Sequence, residues 1–107
     1  MLMAASSIHV RDNPESRTYE AWDGDSVVGS LVYELEGQRT VLTHTWVEPS
    51  QREAGVGTAL TRGALDDLRA QGRRITVYCT FVADFIAEHS EYADLIDPEH
   101  PGTPRHV

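Results

Sequence analysis

The segment that most constrains this chain is a polar, glycine-containing stretch that runs directly into a helical pattern. It reads Gln51-Arg52-Glu53-Ala54-Gly55-Val56-Gly57-Thr58-Ala59-Leu60. The N–H groups in the first turn of a helix have no partner inside the helix, and the helix dipole places partial positive charge there. Gly55 and Gly57 lack a Cβ atom, so the backbone can turn tightly and a phosphate can approach the amides. The segment predicts either a turn without a ligand or a binding site for phosphate or pyrophosphate.

Two common phosphate-binding motifs do not match this segment. Gly55 is not preceded by the glycine of a GxGxxG motif, and no lysine follows Gly57 as in a GxxxxGK[ST] motif. The choice between turn and anion site therefore depends on the flanking elements. An apolar alternating pattern precedes the segment and a helical pattern follows it, which is the context that an anion site requires.

Periodicity predicts four strands before the segment and a helix, a strand and a second helix after it. The predicted strands span residues 8–11, 17–22, 26–35, 39–47 and 73–79, and the predicted helices span residues 56–71 and the stretch from Thr80 onward. A helical crossover allows the fourth and fifth strands to lie parallel. We expect a single α/β domain over residues 1–97, with an antiparallel N-terminal part of the sheet, two main helices and a tail at residues 98–107.

Three finer expectations follow from the same periodicities. Strand alternation places Leu42, His44 and Trp46 on one face of the fourth strand. Helical spacing places Phe81 and Phe85 on the core face of the second helix. The acidic pair at residues 66–67 falls on the solvated side of the first helix and needs no functional explanation.

The composition excludes several classes of function. A net charge of −8 argues against binding to nucleic acids or to anionic membranes, which recruit proteins through clustered cations. All nine basic residues are arginines, so a lysine Schiff base is excluded. The single cysteine and the scattered histidines show no zinc-ligand spacing, so we expect no metal. No apolar run reaches the length of a membrane span and the first five residues lack a cationic flank, so we expect a cytoplasmic protein.

Several motifs together resemble the small, single-domain subgroup of the GCN5-related N-acetyltransferases. They are His44-Thr45-Trp46-Val47-Glu48-Pro49, then Arg52-x-x-Gly55-x-Gly57-x-x-Leu60, Cys79-x-Phe81-Val82 and His89-Ser90-Glu91-Tyr92-x-Asp94-Leu95. The resemblance covers most of the chain, from Arg17 to Leu95. It implies a sheet whose parallel fourth and fifth strands splay apart to admit the pantetheine arm of coenzyme A.

The resemblance also implies where acetyl-CoA would bind. The predicted coenzyme-binding residues are Trp46, Val47, Gln51, Arg52, Glu53, Ala54, Gly55, Val56, Gly57, Thr58 and Phe85. The loop would hold the pyrophosphate through backbone amides, and the pantetheine arm would lie beside Trp46 and Val47, with Phe85 at its border. Larger relatives continue with further strands that shape the acceptor pocket, so the amine acceptor stays unidentified. We expect a monomer or a weak homodimer.

His44 and Cys79 are the candidate catalytic residues. An imidazole can take a proton from an attacking amine near neutral pH, and His44 can equally be a hydrogen-bonded structural residue. A thiol before a helix N-terminus can become a nucleophilic thiolate, and Cys79 can equally be a small buried apolar residue. Tyr92 is a possible proton donor to the departing thiolate, although core packing is favoured for it.

The main functional prediction is an acetyl-CoA-dependent N-acetyltransferase. Catalysis would come from positioning the amine and from backbone N–H groups that polarise the thioester carbonyl. The alternatives are a coenzyme A-binding module without transferase activity, acting as a sensor or a protein partner, and a thioester hydrolase that depends on Cys79.

Overall fold

A computed structural model describes residues 8–103, which form a five-stranded mixed sheet with helices. The strands are β1 (Ile8–Asn13), β2 (Thr18–Asp23), β3 (Ser26–Glu36), β4 (Arg39–Val47) and β5 (Arg74–Val77), and the helices are α1 (Val56–Ala70) and α2 (Thr80–Glu88). Short 3₁₀ helices span Pro49–Gln51 and Ser90–Leu95. The strands lie in chain order, β1 to β4 are antiparallel, and β5 is parallel to β4. This arrangement confirms the predicted fold class. The predictions for the first five residues and for residues 104–107 lie outside the described residues.

Both helices pack against one face of the sheet and enclose a continuous apolar core. The core includes the fully buried side chains of Leu31, Leu42, Leu60, Leu65, Ile75 and Val82. Gly63 allows α1 to lie close to β1, since a Cβ atom there would be 2.8 Å from Val10 Cβ. The edge strand β1 is therefore held by a close helix contact as well as by its pairing with β2.

A β-bulge in β4 changes which face its side chains occupy. Val32 pairs with His44, whereas the next β3 residue, Tyr33, pairs with Leu42, so Thr43 is the extra residue. Cross-strand partners share a face of the sheet. Leu42 therefore lies with the buried Tyr33 on the core face, and His44 lies exposed on the opposite face. The prediction that Leu42, His44 and Trp46 share a face is wrong, because strict alternation does not continue through a bulge.

Beyond the bulge, the alternation resumes in a new phase. Thr45 pairs with the buried Leu31 and points to the core face, while Trp46 pairs with Ser30 on the open face. The Trp46 side chain is 39% exposed. The bulge thus places the Thr45 hydroxyl on the face of the sheet that packs against the helices, beside the start of α2.

The parallel pairing between β4 and β5 is short. It ends at Leu42 and Val77, followed by one backbone hydrogen bond from the Tyr78 N–H to the Leu42 carbonyl oxygen at 2.9 Å. The predicted fifth strand extended to Cys79, but the strand ends two residues earlier and Cys79 precedes α2. In the described part of the chain β4 and β5 do not pair beyond this point. A gap therefore opens between the main chain at Thr45 and the main chain at Cys79.

Two tyrosines attach α1 to other elements through carboxylates. The Tyr19 hydroxyl donates to Asp67 Oδ2 at 2.6 Å, and the Tyr92 hydroxyl donates to Asp66 Oδ1 at 2.7 Å. Burial and the hydrogen bond to Asp66 raise the pKa of Tyr92 above its ordinary value. Asp66 is exposed and Asp67 is half-buried, as expected for the solvated side of α1, and both also connect α1 to other elements, β2 and the 3₁₀ helix.

Residues 97–103 follow the edge of β5 that does not pair with β4. The Asp97 N–H donates to the Ile75 carbonyl oxygen and the Val77 N–H donates to the Pro101 carbonyl oxygen, both at 2.9 Å. The Thr76 hydroxyl donates to the His100 carbonyl oxygen at 2.6 Å. The part of the predicted tail that the structure describes therefore covers a sheet edge.

Candidate functional site

The gap between β4 and β5 opens into a cleft with two adjoining regions. The inner region has a volume of about 540 Å³ and is lined by Thr43, His44, Thr45, Tyr78, Cys79, Thr80 and Phe81. The outer region has a volume of about 390 Å³ and is lined by His44, Thr45, Trp46, Val47, Arg52, Gly55, Gly57, Thr58 and Phe81. His44, Thr45 and Phe81 line both regions. A long, narrow ligand can therefore pass from the start of α1 to Cys79.

The outer region meets the first turn of α1. Gly55 is the N-cap residue and has a φ of 82°, a left-handed conformation that favours glycine. No side chain caps the helix, and its first turn carries no acidic residue. The Ala59 N–H bonds the Gly55 carbonyl oxygen at 3.0 Å, so the amides of residues 56–58 precede the internal hydrogen bonds of α1. This turn has the geometry and the partial positive charge to accept an anion.

The loop that leads to α1 is held by its own hydrogen bonds. The Gln51 N–H donates to the Glu48 carbonyl oxygen at 2.8 Å, and the Ala54 N–H donates to the Gln51 carbonyl oxygen at 3.1 Å. Arg52 lines the outer region, and its Nε donates to the Val47 carbonyl oxygen at 3.3 Å. The Arg52 side chain thus fixes the loop to the end of β4 while its guanidinium borders the cleft.

The predicted coenzyme-binding residues divide into two groups. Trp46, Val47, Arg52, Gly55, Gly57 and Thr58 line the outer region. Gln51, Glu53, Ala54 and Val56 belong to the same turn but do not appear in the lining of either region within residues 8–103. Val56 is fully buried and Ala54 packs against the core, so both anchor the turn to the core and do not face the cleft.

Both candidate catalytic residues line the inner region. Cys79 is 7% exposed, and its Sγ atom lies 3.0 Å from Thr45 Oγ1 across the gap. His44 approaches from the open face of β4 and lines both regions. The structure therefore brings an imidazole, a thiol and a hydroxyl to one part of the cleft.

Phe81, predicted to be a core residue, lines the cleft. Its side chain is 42% exposed and borders both regions. Phe85 is buried in the core, where its ring stacks on His89 with a centroid distance of 4.1 Å and tilts against Tyr92. Within residues 8–103, Phe85 lines neither region of the cleft. Tyr92 packs beside Phe85, as the sequence favoured.

Sequence reasoning missed Thr43, Thr45, Tyr78, Thr80 and Phe81 as residues that line the cleft. The apolar spacing of α2 gave no sign that its first turn borders a gap. The signal for Tyr78 was its place next to Cys79, since a splayed fifth strand must expose the residues that follow its last pairing. Among residues 8–103, no group of three or more His, Cys, Asp or Glu side chains is arranged to hold a metal ion, and no helix is long and apolar enough to cross a membrane.

The fold thus combines a mixed sheet, parallel strands β4 and β5 that stop pairing at Leu42, and an uncapped N-terminus of α1 beside the resulting gap. The family model of the GCN5-related N-acetyltransferases matches residues 18–95, and the chain belongs to this family. The fold is similar to the NMR solution structure of a GCN5-like protein from Staphylococcus aureus, with a TM-score of 0.61 and 15% identity over 94% of this chain and 93% of that chain. No curated protein matches the sequence significantly.

Proposed function

We propose that this protein transfers an acetyl group from acetyl-CoA to an amine in the cytoplasm. The observation that carries the proposal is the continuous cleft between the uncapped start of α1 and the thiol of Cys79. Coenzyme A combines an anionic pyrophosphate with a long, narrow arm that ends in sulfur. Its shape and charge correspond to the two ends of this cleft.

The coenzyme would bind with its charged part in the outer region. The pyrophosphate would accept hydrogen bonds from the amides of residues 56–58, and the Arg52 guanidinium would add a cationic contact. The pantetheine arm would then follow β4 past Val47 and Thr45, where β5 no longer provides a partner strand. Polar groups of the arm can satisfy the unpaired backbone of β4, much as an added strand does.

The thioester would lie in the inner region, where the transfer takes place. The acceptor nitrogen attacks the thioester carbonyl carbon, an N–C bond forms, and the C–S bond breaks to release the coenzyme A thiolate. His44 takes the proton that the nitrogen loses, because its imidazole borders the inner region from the open face. The first turn of α2 points its positive end at the same region and can stabilise the carbonyl oxygen as negative charge develops.

Cys79 lines the thioester site in this proposal and does not carry the acetyl group. Cys79 is 7% exposed and its thiol is hydrogen-bonded to Thr45, so the side chain is fixed in place and bounds the space beside the reacting carbon. Intact mass measured after incubation with acetyl-CoA tests this assignment. An added acetyl group that disappears in Cys79→Ala would instead establish a covalent route through the thiol.

A thermal shift with acetyl-CoA tests the binding step. A ligand that binds only the folded state must raise the melting temperature by mass action. No shift at saturating acetyl-CoA would rule out the transferase and also the alternative of a coenzyme-binding module.

An acceptor screen tests the transfer step. Small amines and lysine peptides would be incubated with acetyl-CoA and the protein, and free coenzyme A thiol would be measured. Release that depends on the amine supports the transferase, whereas release without an amine indicates thioester hydrolysis. A stabilising shift without release under any of these conditions favours the binding module.

A further inference from the structure

Phe81 lies where the inner and outer regions of the cleft meet. The inner and outer regions meet where His44 and Thr45 of β4 face Phe81, because these three residues are common to both linings. A third depression, of about 230 Å³, is also lined by Phe81, together with Thr58 and Phe85. A molecule that reaches from the start of α1 to Cys79 must therefore pass between β4 and the Phe81 ring.

The tip of this ring rests on Gly57. A Cβ atom added at Gly57 would lie 2.8 Å from Phe81 Cζ, which is closer than real Cβ contacts, and 3.3 Å from both Cε atoms, so the ring would have to shift. Gly57 has no left-handed backbone conformation that would require glycine, unlike Gly55. Its missing side chain is therefore explained by the neighbouring ring.

We propose that Phe81 is the residue that clamps the pantetheine arm against β4, and that Gly57 lacks a side chain in order to seat the Phe81 ring. This inference rests on the proposed coenzyme binding. It assigns to Gly57 a steric role toward Phe81 in place of close approach by phosphate. It also replaces Phe85 with Phe81 as the aromatic residue in contact with the arm.

The two possible roles of Gly57 predict different couplings between a substitution at Gly57 and a substitution at Phe81. If the glycine is needed for phosphate to approach, a methyl group at residue 57 obstructs the ligand whether or not Phe81 is present. If the glycine seats the ring, the methyl group displaces Phe81 into the passage and has no effect once the ring is removed. Two residues in direct contact are expected to show such non-additivity.

A double-mutant cycle measured by calorimetric titration with coenzyme A tests the proposal. Gly57→Ala should weaken coenzyme A binding about tenfold in the otherwise unchanged protein, and by less than about twofold in Phe81→Ala. Leu35→Ala is the control background, because Leu35 is also a large exposed apolar side chain, at 46%, and lies outside the cleft lining. Gly57→Ala should keep its full effect there. An equal loss in all three backgrounds, or no loss in any, overturns the proposal.

A second measurement follows coenzyme A binding in the wild-type protein directly. The chain has two phenylalanines, so selective ring labelling gives two NMR spin systems, and the spectrum of Phe81→Ala assigns them. Coenzyme A should shift the Phe81 ring signals and leave those of the buried Phe85 nearly unchanged. Binding without a shift at Phe81 overturns this inference alone. If wild-type protein does not bind coenzyme A at all, the proposed function fails together with it.

Discussion

Thr45 Oγ1 and Cys79 Sγ lie 3.0 Å apart across the gap between β4 and the start of α2. The backbone pairing of β4 with β5 has ended by this point, at Leu42. The hydrogen bond therefore joins the two sides of the cleft where the main chain no longer does. The β4 bulge at Thr43 makes it possible, because it turns Thr45 toward the core face.

This pair should show a measurable coupling in folding stability. Thr45→Val and Cys79→Ala are combined in a cycle, with unfolding free energies from urea titration. Because each single change leaves one polar partner without its hydrogen bond, the coupling should be about 0.5–1 kcal/mol. Thr43→Val is the control, since Thr43 bonds the Val32 carbonyl oxygen instead. Additive effects of the Thr45 and Cys79 changes would contradict the hydrogen bond.

His44→Gln should lower kcat far more than it weakens coenzyme A binding, because glutamine keeps much of the side-chain volume that borders both regions of the cleft. The side chain is exposed on the open face and therefore contributes little to the core. Loss of a general base costs about 10²–10⁴ in rate, whereas coenzyme A would be held mainly by the α1 turn and β4. The rate of coenzyme A release with a saturating amine gives kcat, and calorimetric titration gives Kd. An unchanged kcat would remove His44 from the proposed mechanism.

Tyr33 makes stability sensitive to alkaline pH. Burial and a hydrogen bond to Asp12 Oδ1 at 2.7 Å raise the pKa of Tyr33 to about 12 from an ordinary 10.0. A raised pKa means that the folded state keeps its proton longer than the unfolded chain. Its stabilising contribution is thus complete below pH 10.0 and is lost as the pH rises toward about 12.

Urea unfolding at several pH values across this window tests the prediction for Tyr33. The unfolding free energy should fall as the pH rises, and it should fall less steeply in Tyr33→Phe. Burial and Asp67 also raise the pKa of Tyr19, so the substitution should reduce the pH dependence without removing it. An identical slope in the two proteins would contradict the assignment to Tyr33.

The fold could be predicted from the sequence because short stretches of residues identify its strands, turns and helices. Glycines with positive φ close the hairpins and end α1, at Gly24, Gly37 and Gly72. Apolar spacing identified the buried face of α1, and the five strands were found with small errors at their ends. These signals lie within short windows, so one sequence is enough to detect them.

The parts of the site that sequence missed depend on contacts between distant residues. Threonines occur on both sides of the β4 bulge, so its residue pattern gives no sign of the phase change at Thr43. Asp66 and Asp67 lie on the polar side of α1 by spacing, but their tyrosine partners are 26 and 48 residues away in the chain. Phe81 fits a helical apolar pattern, and only the early end of β5 exposes it to the cleft.

Gly102 offers a test of how residues 97–103 hold the edge of β5. Its φ is 89°, and a Cβ atom there would overlap the Val77 carbonyl oxygen. Gly102→Ala should therefore destabilise this segment by about 1–3 kcal/mol, through backbone strain and through the clash.

The Val77 amide reports on this segment directly, because its N–H donates to the Pro101 carbonyl oxygen at 2.9 Å. In Gly102→Ala its hydrogen exchange should accelerate at least about tenfold if the segment detaches locally. The Tyr78 amide bonds Leu42 on the other side of β5 and serves as the internal control. Equal acceleration at both amides would indicate global destabilisation, and no acceleration at Val77 would show that its protection does not depend on this segment.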